Sequence, residues 1–276
     1  MDALRRFCQN RIAVIGLIVV IVIVLMALLA PWITPHDPNQ MNLERSLKGI
    51  GTPGAWLGTD NFGRDILSRL IYGSRVSILI AFTSIAIGGL LGTMLGLVAG
   101  YFGGWIDNAV MRLMDALFAF PSVLLAIALM TVLGDGMLNL IIAISLVNVP
   151  NFARIIRGEA LAIKQESYID VVRTLGAGHG RIIFRHILPN TIAPLIVYGT
   201  MSIAGAILSE AALSFLGLGI QPPTATWGNM LRDGQEFLRI DSTLTLSAGL
   251  AILMTVLAFN LVGDGVREAL DPKMKK

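Results

Sequence analysis

The chain has 276 residues, of which 55% are apolar and only 14% charged, and its formal net charge is +3; soluble domains carry roughly 25% charged residues. This composition excludes a water-soluble surface and an architecture built mainly of strands, and the small net charge calls for no nucleic-acid partner. One cysteine, Cys8, excludes an internal disulfide framework.

Charged residues are absent from six windows: residues 12–33, 76–106, 116–134, 136–153, 186–209 and 242–263. An apolar helix rising ~1.5 Å per residue needs about 20 residues to cross ~30 Å of hydrocarbon, so each window reads as a span. The first follows Arg5, Arg6 and Arg11. Its apolar run exceeds the ~7–15 residues of a signal-peptide core and no A-x-A site follows, which predicts a retained anchor. With the spans alternating from there, 14 Lys and Arg residues fall on the side of the N-terminus and 7 on the other. The positive-inside rule then puts both termini in the cytoplasm.

The expected organisation is an all-α integral membrane protein with six transmembrane helices. Residues 1–74 form an anchor helix (about 12–31) and an extracytoplasmic loop. Residues 75–264 form a domain of five helices, about 76–100, 114–134, 137–156, 189–213 and 242–263. Residues 265–276 form a cytoplasmic tail.

Taken in order, the second span carries Gly88, Gly92, Gly96 and Gly100, one glycine every four residues. Small residues at that spacing let another backbone come close, which predicts a helix-packing seam. Between the fourth and fifth spans lies a long charged loop, residues 154–185. Within it Ile169, Val172 and Leu175 recur at three-residue spacing, with Tyr168 and Ile163 beside them, which predicts a short amphipathic helix over about 165–175. Gly176, Gly178 and Gly180 then end it. Such a helix lies on lipid or docks into a partner groove. In the fifth span Glu210 stands alone, the nearest charges being Arg185 and Arg232. An ionised group there costs at least a few kcal/mol unless it meets water, a partner or a ligand. Glu210 is therefore either hydrogen-bonded for structure at the outer end of the span or faces a translocation pathway, where it would attract a substrate ammonium group.

Several chemistries lack their residues. No Gly-Lys dipeptide occurs, so the G-x-x-x-x-G-K-[ST] phosphate loop is absent. His36, His179 and His186 have no metal-ligand spacing, and no G-x-S-x-G nucleophile motif appears. No catalytic residue and no metal ligand is assigned, and an intramembrane enzyme is disfavoured. A stand-alone proton-coupled carrier would need paired intramembrane ionisable groups, and Glu210 has no evident mate.

The loop resembles the EAA loop of binding-protein-dependent ABC importer permeases, in which E-A-A, three residues, G, nine residues and I-x-L-P mark a coupling helix. Asp170, Val171, Val172, Gly176, Leu188 and Pro189 fall at those positions; valines replace both alanines and His186 replaces the isoleucine. Residues 57–69, 213–228 and 258–272 are similar to the outer-loop, post-fifth-span and C-terminal signatures of the C-type subunits of dipeptide/oligopeptide/nickel importers. The resemblance implies the type I ABC importer permease fold and a chain lining half of an alternating-access pathway for di- or oligopeptides, or else for glutathione or a nickel chelate. It implies as partners a B-type permease subunit, two cytoplasmic ATPase subunits and an extracytoplasmic solute-binding protein, in a bacterial inner membrane. ATP and Mg would be used by the partner subunits, with no cofactor bound directly. Tyr168, Asp170, Val171, Val172, Leu175, Gly176, Leu188 and Pro189 would form the ATPase-coupling loop.

Overall fold

The computed structural model describes residues 2–270, so the expected tail lies outside the described residues from 271 onward. Among those described the protein is helical, with no strand beyond two isolated bridges. Among the described residues five helices are long and apolar enough to cross a membrane, and a bent pair makes a sixth if it is taken as one span.

A short helix α1 (Asp2–Gln9) precedes α2 (Arg11–Ile33). Asn10 caps α2 by accepting from the Ile12 and Ala13 amides at 3.1 Å each, which satisfies two of the donors left open at a helix start. Helix α2 is apolar all round, yet it buries only one stripe: Ala13, Gly16, Val20, Ile23, Ala27 and Ala30. That alternating three- and four-residue spacing is a single helical face, and it packs along α11 (Thr243–Leu270).

Helix α3 (Ile66–Phe102) has 37 residues, about 55 Å at ~1.5 Å per residue. Its start is fixed by Asp65, which accepts from the Ser68 amide at 2.8 Å and the Ser68 hydroxyl at 2.5 Å. The helix therefore starts ten residues before the predicted span, and Arg75, the charge that delimited the window, lies inside it together with Arg69.

Helix α3 packs against α6 (Met137–Lys164) as the central pair of the bundle. A Cβ on Gly88 would lie 2.8 Å from the Ser145 carbonyl, on Gly92 2.5 Å from Phe152 Cβ, on Gly96 2.5 Å from the Ala153 carbonyl and on Gly100 2.7 Å from Ala160 Cβ. The contacts climb both helices together, so the two run parallel with backbones in near contact. Helix α9 (Leu188–Phe215) lies against α3, α6 and α11, and the short α10 (Trp227–Gln235) caps α9 and α11.

The span expected at 114–134 is broken. Helix α4 (Gly104–Phe118) and α5 (Ser122–Leu133) meet at 90°. Pro121 has no amide hydrogen and disfavours helical geometry at the residue before it, so the ladder cannot continue through 119–121. Two ion pairs hold α4 along α6: Arg157 with Asp107 through two bonds of 2.5 and 2.6 Å, and Arg154 with Asp115 at 2.6 Å.

Candidate functional site

After α6 the chain turns at Gln165 into α7 (Ser167–Thr174), then α8 (His179–Ile182) and one wide turn over Ile183–Ile187 that runs into α9. Helix α7 falls within the window predicted for the amphipathic helix. Its end is a Schellman turn: the Ala177 amide donates to the Val172 carbonyl at 3.2 Å and the Gly176 amide to the Arg173 carbonyl at 3.0 Å. Gly176 sits at φ +83°, the left-handed region that this turn requires and that residues with a Cβ enter only at a cost of about 1–2 kcal/mol.

Helix α7 has one anchoring face. Ile169 is fully buried in an apolar cluster with Leu97 of α3, Ile156 and Ala160 of α6, Ile182 of α8 and Ile187 of the wide turn, with Leu188 and Leu195 of α9 packed against it. Val172 packs at the margin of that cluster. Leu175 does not share this face as its spacing suggests: it is 81% exposed, because it is the C-cap residue and the chain is already leaving the helix there. The exposed side of α7 presents Tyr168, Asp170, Val171 and Leu175. Leu188 is half-buried, while Pro189 is exposed in the first turn of α9.

A second fastening was not foreseen from the sequence. The Tyr101 hydroxyl lies 2.8 Å from His179 Nδ1, and Phe102 and His179 pack edge-on and tilted around it. Tyr168 leans on His186, and Asn190 Nδ2 donates to the His186 carbonyl at 2.6 Å. The loop is thus bolted to three long helices while a face with Tyr168, Val171 and the Asp170–Arg173 ion pair stays free. The only signal in the sequence was the aromatic pair at 101–102, which by itself names no partner.

At the opposite end of α3, residues 34–65 fold back over the helix starts. Asp60 accepts from Arg64 Nε at 2.6 Å and lies 3.6 Å from Arg69 Nε; Arg64 Nη2 lies 3.5 Å from Asp233 of α10. Arg69 also donates to the Pro38 and Pro223 carbonyls. Arg64 and Arg69, two of the seven basic residues counted on the side away from the N-terminus, are each 1% exposed, so they are buried structural charges. Burial raises the Asp233 carboxyl above its ordinary value, although Arg69, Arg64 and Arg232 each pull it down.

Glu210 is enclosed within this chain rather than exposed on its surface. It is fully buried and accepts from the Ser214 hydroxyl at 2.8 Å, with the Ser77 and Thr226 hydroxyls also beside it. Thr226 in turn closes a reciprocal cap with Asn229, and the indole of Trp227 donates to the Leu70 carbonyl at 3.0 Å. Three hydroxyls, from α9, α3 and the cap of α10, therefore surround the carboxyl, whose Oε2 is buried without a hydrogen-bond partner.

Comparison with known proteins agrees with this architecture. The family of binding-protein-dependent transport system inner membrane components matches residues 92–276, and the N-terminal TM domain of oligopeptide transport permease C matches residues 1–49. The chain is 44% identical to the dipeptide transport system permease protein DppC of Alkalihalophilus pseudofirmus, covering 99% of this chain and 90% of that one. It is 43% identical to the glutathione transport system permease protein GsiD of Pectobacterium atrosepticum, covering 98% and 90%. Among solved structures it resembles the MetNI methionine ABC transporter in its inward-facing conformations, with a TM-score of 0.59 at 16% identity over 75% of this chain and 98% of that one. It also resembles an amino acid ABC transporter, with a TM-score of 0.51 at 16% identity over 70% and 91%.

Proposed function

The chain belongs to the family of binding-protein-dependent transport system inner membrane components, and from that premise we propose that it moves short peptides across a bacterial inner membrane as the C-type permease subunit of an ABC importer. Its relatives carry dipeptide and glutathione permease names at nearly equal identity. Glutathione is itself a small peptide, so the cargo class common to both is the short peptide rather than a nickel chelate.

The observation that carries the mechanism is the two-sided α7. Ile169 locks it to α3, α6 and α9, and its free face offers Tyr168, Val171 and Leu175. A helix held that stiffly transmits motion: ATP binding draws two partner ATPase subunits together, the free face rides in a groove on one of them, and the anchored face turns the spans. In this arrangement both termini lie in the cytoplasm, six crossings are made with the bent α4–α5 pair as one, and residues 75–264 form the transport domain. A B-type permease completes the pathway, and a solute-binding protein delivers cargo at the end formed by residues 34–65. ATP and Mg act on the partner ATPases, and this chain performs no chemistry of its own.

The test is reconstitution of the chain with a B-type permease, ATPases and binding protein in proteoliposomes. Labelled dipeptide should enter only with ATP. Gly176→Trp, with open space around its Cβ but a strained φ, should keep the subunit in the membrane and lower uptake relative to ATP hydrolysis. Undiminished uptake would remove α7 from its coupling role.

A further inference from the structure

Beside the break between α4 and α5 lies a recess with room for about one water, lined by Ser122 and Ala126 of α5, Val147 and Asn148 of α6, and Ser209 and Ala212 of α9. Its depth follows from the helices. Asn148 is eleven residues into α6, about 16 Å along its axis. Its Cβ would touch one on Gly88, near the middle of the charge-free stretch 76–106 of α3. Ser122 is at the other end of the twelve-residue α5 from the 134–136 turn, again about 18 Å in. The recess is therefore near the middle of ~30 Å of hydrocarbon.

That placement constrains what covers it. Ala119, Phe120, Pro121 and Ser122 are exposed at the break, and irregular backbone at membrane depth is tolerated only against protein or water, never against lipid. Ser209 donates to the Gly205 carbonyl at 2.9 Å and Asn148 to the Ile144 carbonyl at 2.8 Å. Each keeps acceptor capacity for one more partner. The adjoining acid, Glu210, is turned away and enclosed, so Ser122, Asn148 and Ser209 stand as uncharged polar groups in a lining otherwise made of apolar side chains, Val123, Ile144 and Leu213 among them.

Resting on the peptide-permease reading, we propose that Ser122, Asn148 and Ser209 form this chain's half of a hydrated passage and hydrogen-bond the backbone amides of an extended short peptide in transit. Uncharged donors and acceptors match the one group that every peptide shares. They make no distinction between acidic and basic side chains, and a recess with room for about one water gives a side chain no pocket to select it. Selection is left to the delivering protein, and the passage accepts what arrives.

The test uses the assembled importer in proteoliposomes. Cys8, which is exposed, is replaced by Ser, and Ser209→Cys, Asn148→Cys and a surface control on α11, Leu250→Cys, are introduced singly. The probe is a charged, membrane-impermeant thiol reagent, with and without a trapped ATP analogue. A thiol in hydrocarbon has a raised pKa and only the thiolate reacts, one unit being tenfold. Ser209→Cys and Asn148→Cys should therefore label at least about tenfold faster than Leu250→Cys in one nucleotide state. Alanyl-alanine delivered by the binding protein should slow that labelling. If both stay unreactive in both states while alanyl-alanine is still taken up, the face is a dry contact with the second permease and the proposal falls. A variant that fails to assemble is replaced by Ser122→Cys on α5. Failure of the parent reading shows separately, as no alanyl-alanine uptake by the unaltered complex.

Discussion

Replacing Gly96 by Ala tests whether the α3–α6 seam is set by the absence of a Cβ. The added atom would lie 2.5 Å from the Ala153 carbonyl and 3.0 Å from both the Arg157 amide and Ile156 Cβ, where ordinary contact begins at 3.4 Å. The backbones must then part by roughly 0.9 Å along this stretch, and a gap of that size forfeits about a quarter to a half of each dispersion contact it opens. Overpacking of this kind costs about 1–3 kcal/mol, while the better helix propensity of Ala returns about 1 kcal/mol. The net expectation is destabilisation of up to about 2 kcal/mol. Gly158 supplies the opposite sign: it is in α6, exposed, with nothing within 4 Å of its Cβ position, so Gly158→Ala should stabilise by about 0.4–1 kcal/mol. For a chain of this size 1 kcal/mol corresponds to about 2–4 °C. Thermal unfolding of the detergent-purified complex should show Gly96→Ala falling and Gly158→Ala holding or rising. The double variant Gly92→Ala/Gly96→Ala should lose less than the sum, since one separation accommodates both. If Gly96→Ala melts with Gly158→Ala, steric closeness is not what sets the seam.

Three further outcomes follow from named contacts. Arg69→Met removes the bonds to the Pro38 and Pro223 carbonyls and the longer of the two arginine contacts of Asp60, which keeps Arg64 at 2.6 Å; losing a hydrogen bond from a charged group costs about 1.5–3 kcal/mol, so proteolysis within residues 34–65 should accelerate. Ile169→Ala removes the anchor of α7 at a cost of about 2–5 kcal/mol, and should raise ATP hydrolysis per peptide imported while the complex still assembles. Glu210→Gln keeps a hydrogen-bonding group toward Ser214 and should leave uptake of basic and neutral dipeptides in the same ratio; Glu210→Leu should lower thermal stability instead, since it strands the hydroxyls of Ser77, Ser214 and Thr226. A selective loss of basic dipeptides in Glu210→Gln would support the pathway role.

The amino-acid order by itself determined the membrane class, the apolar windows, the glycine stripe and the short helix ended by Gly176. Each of these depends on local periodicity, on missing charge or on one backbone conformation, and such properties are carried by neighbouring residues. Tertiary structure alone decided the rest. Arg64 and Arg69 read as loop charges because the groups that take them inside, Asp233 and the Pro223 carbonyl, come from far along the chain, the latter 154 residues from Arg69. Glu210 read as a pathway candidate because its enclosure depends on Ser77 and Thr226, which no spacing ties to it. The 114–134 window is continuous in hydropathy, yet Pro121 and the ion pairs of α4 with α6 bend it by 90°. Hydropathy reports what a segment can dissolve in. Which way its side chains face is fixed only when the other helices take up the remaining space.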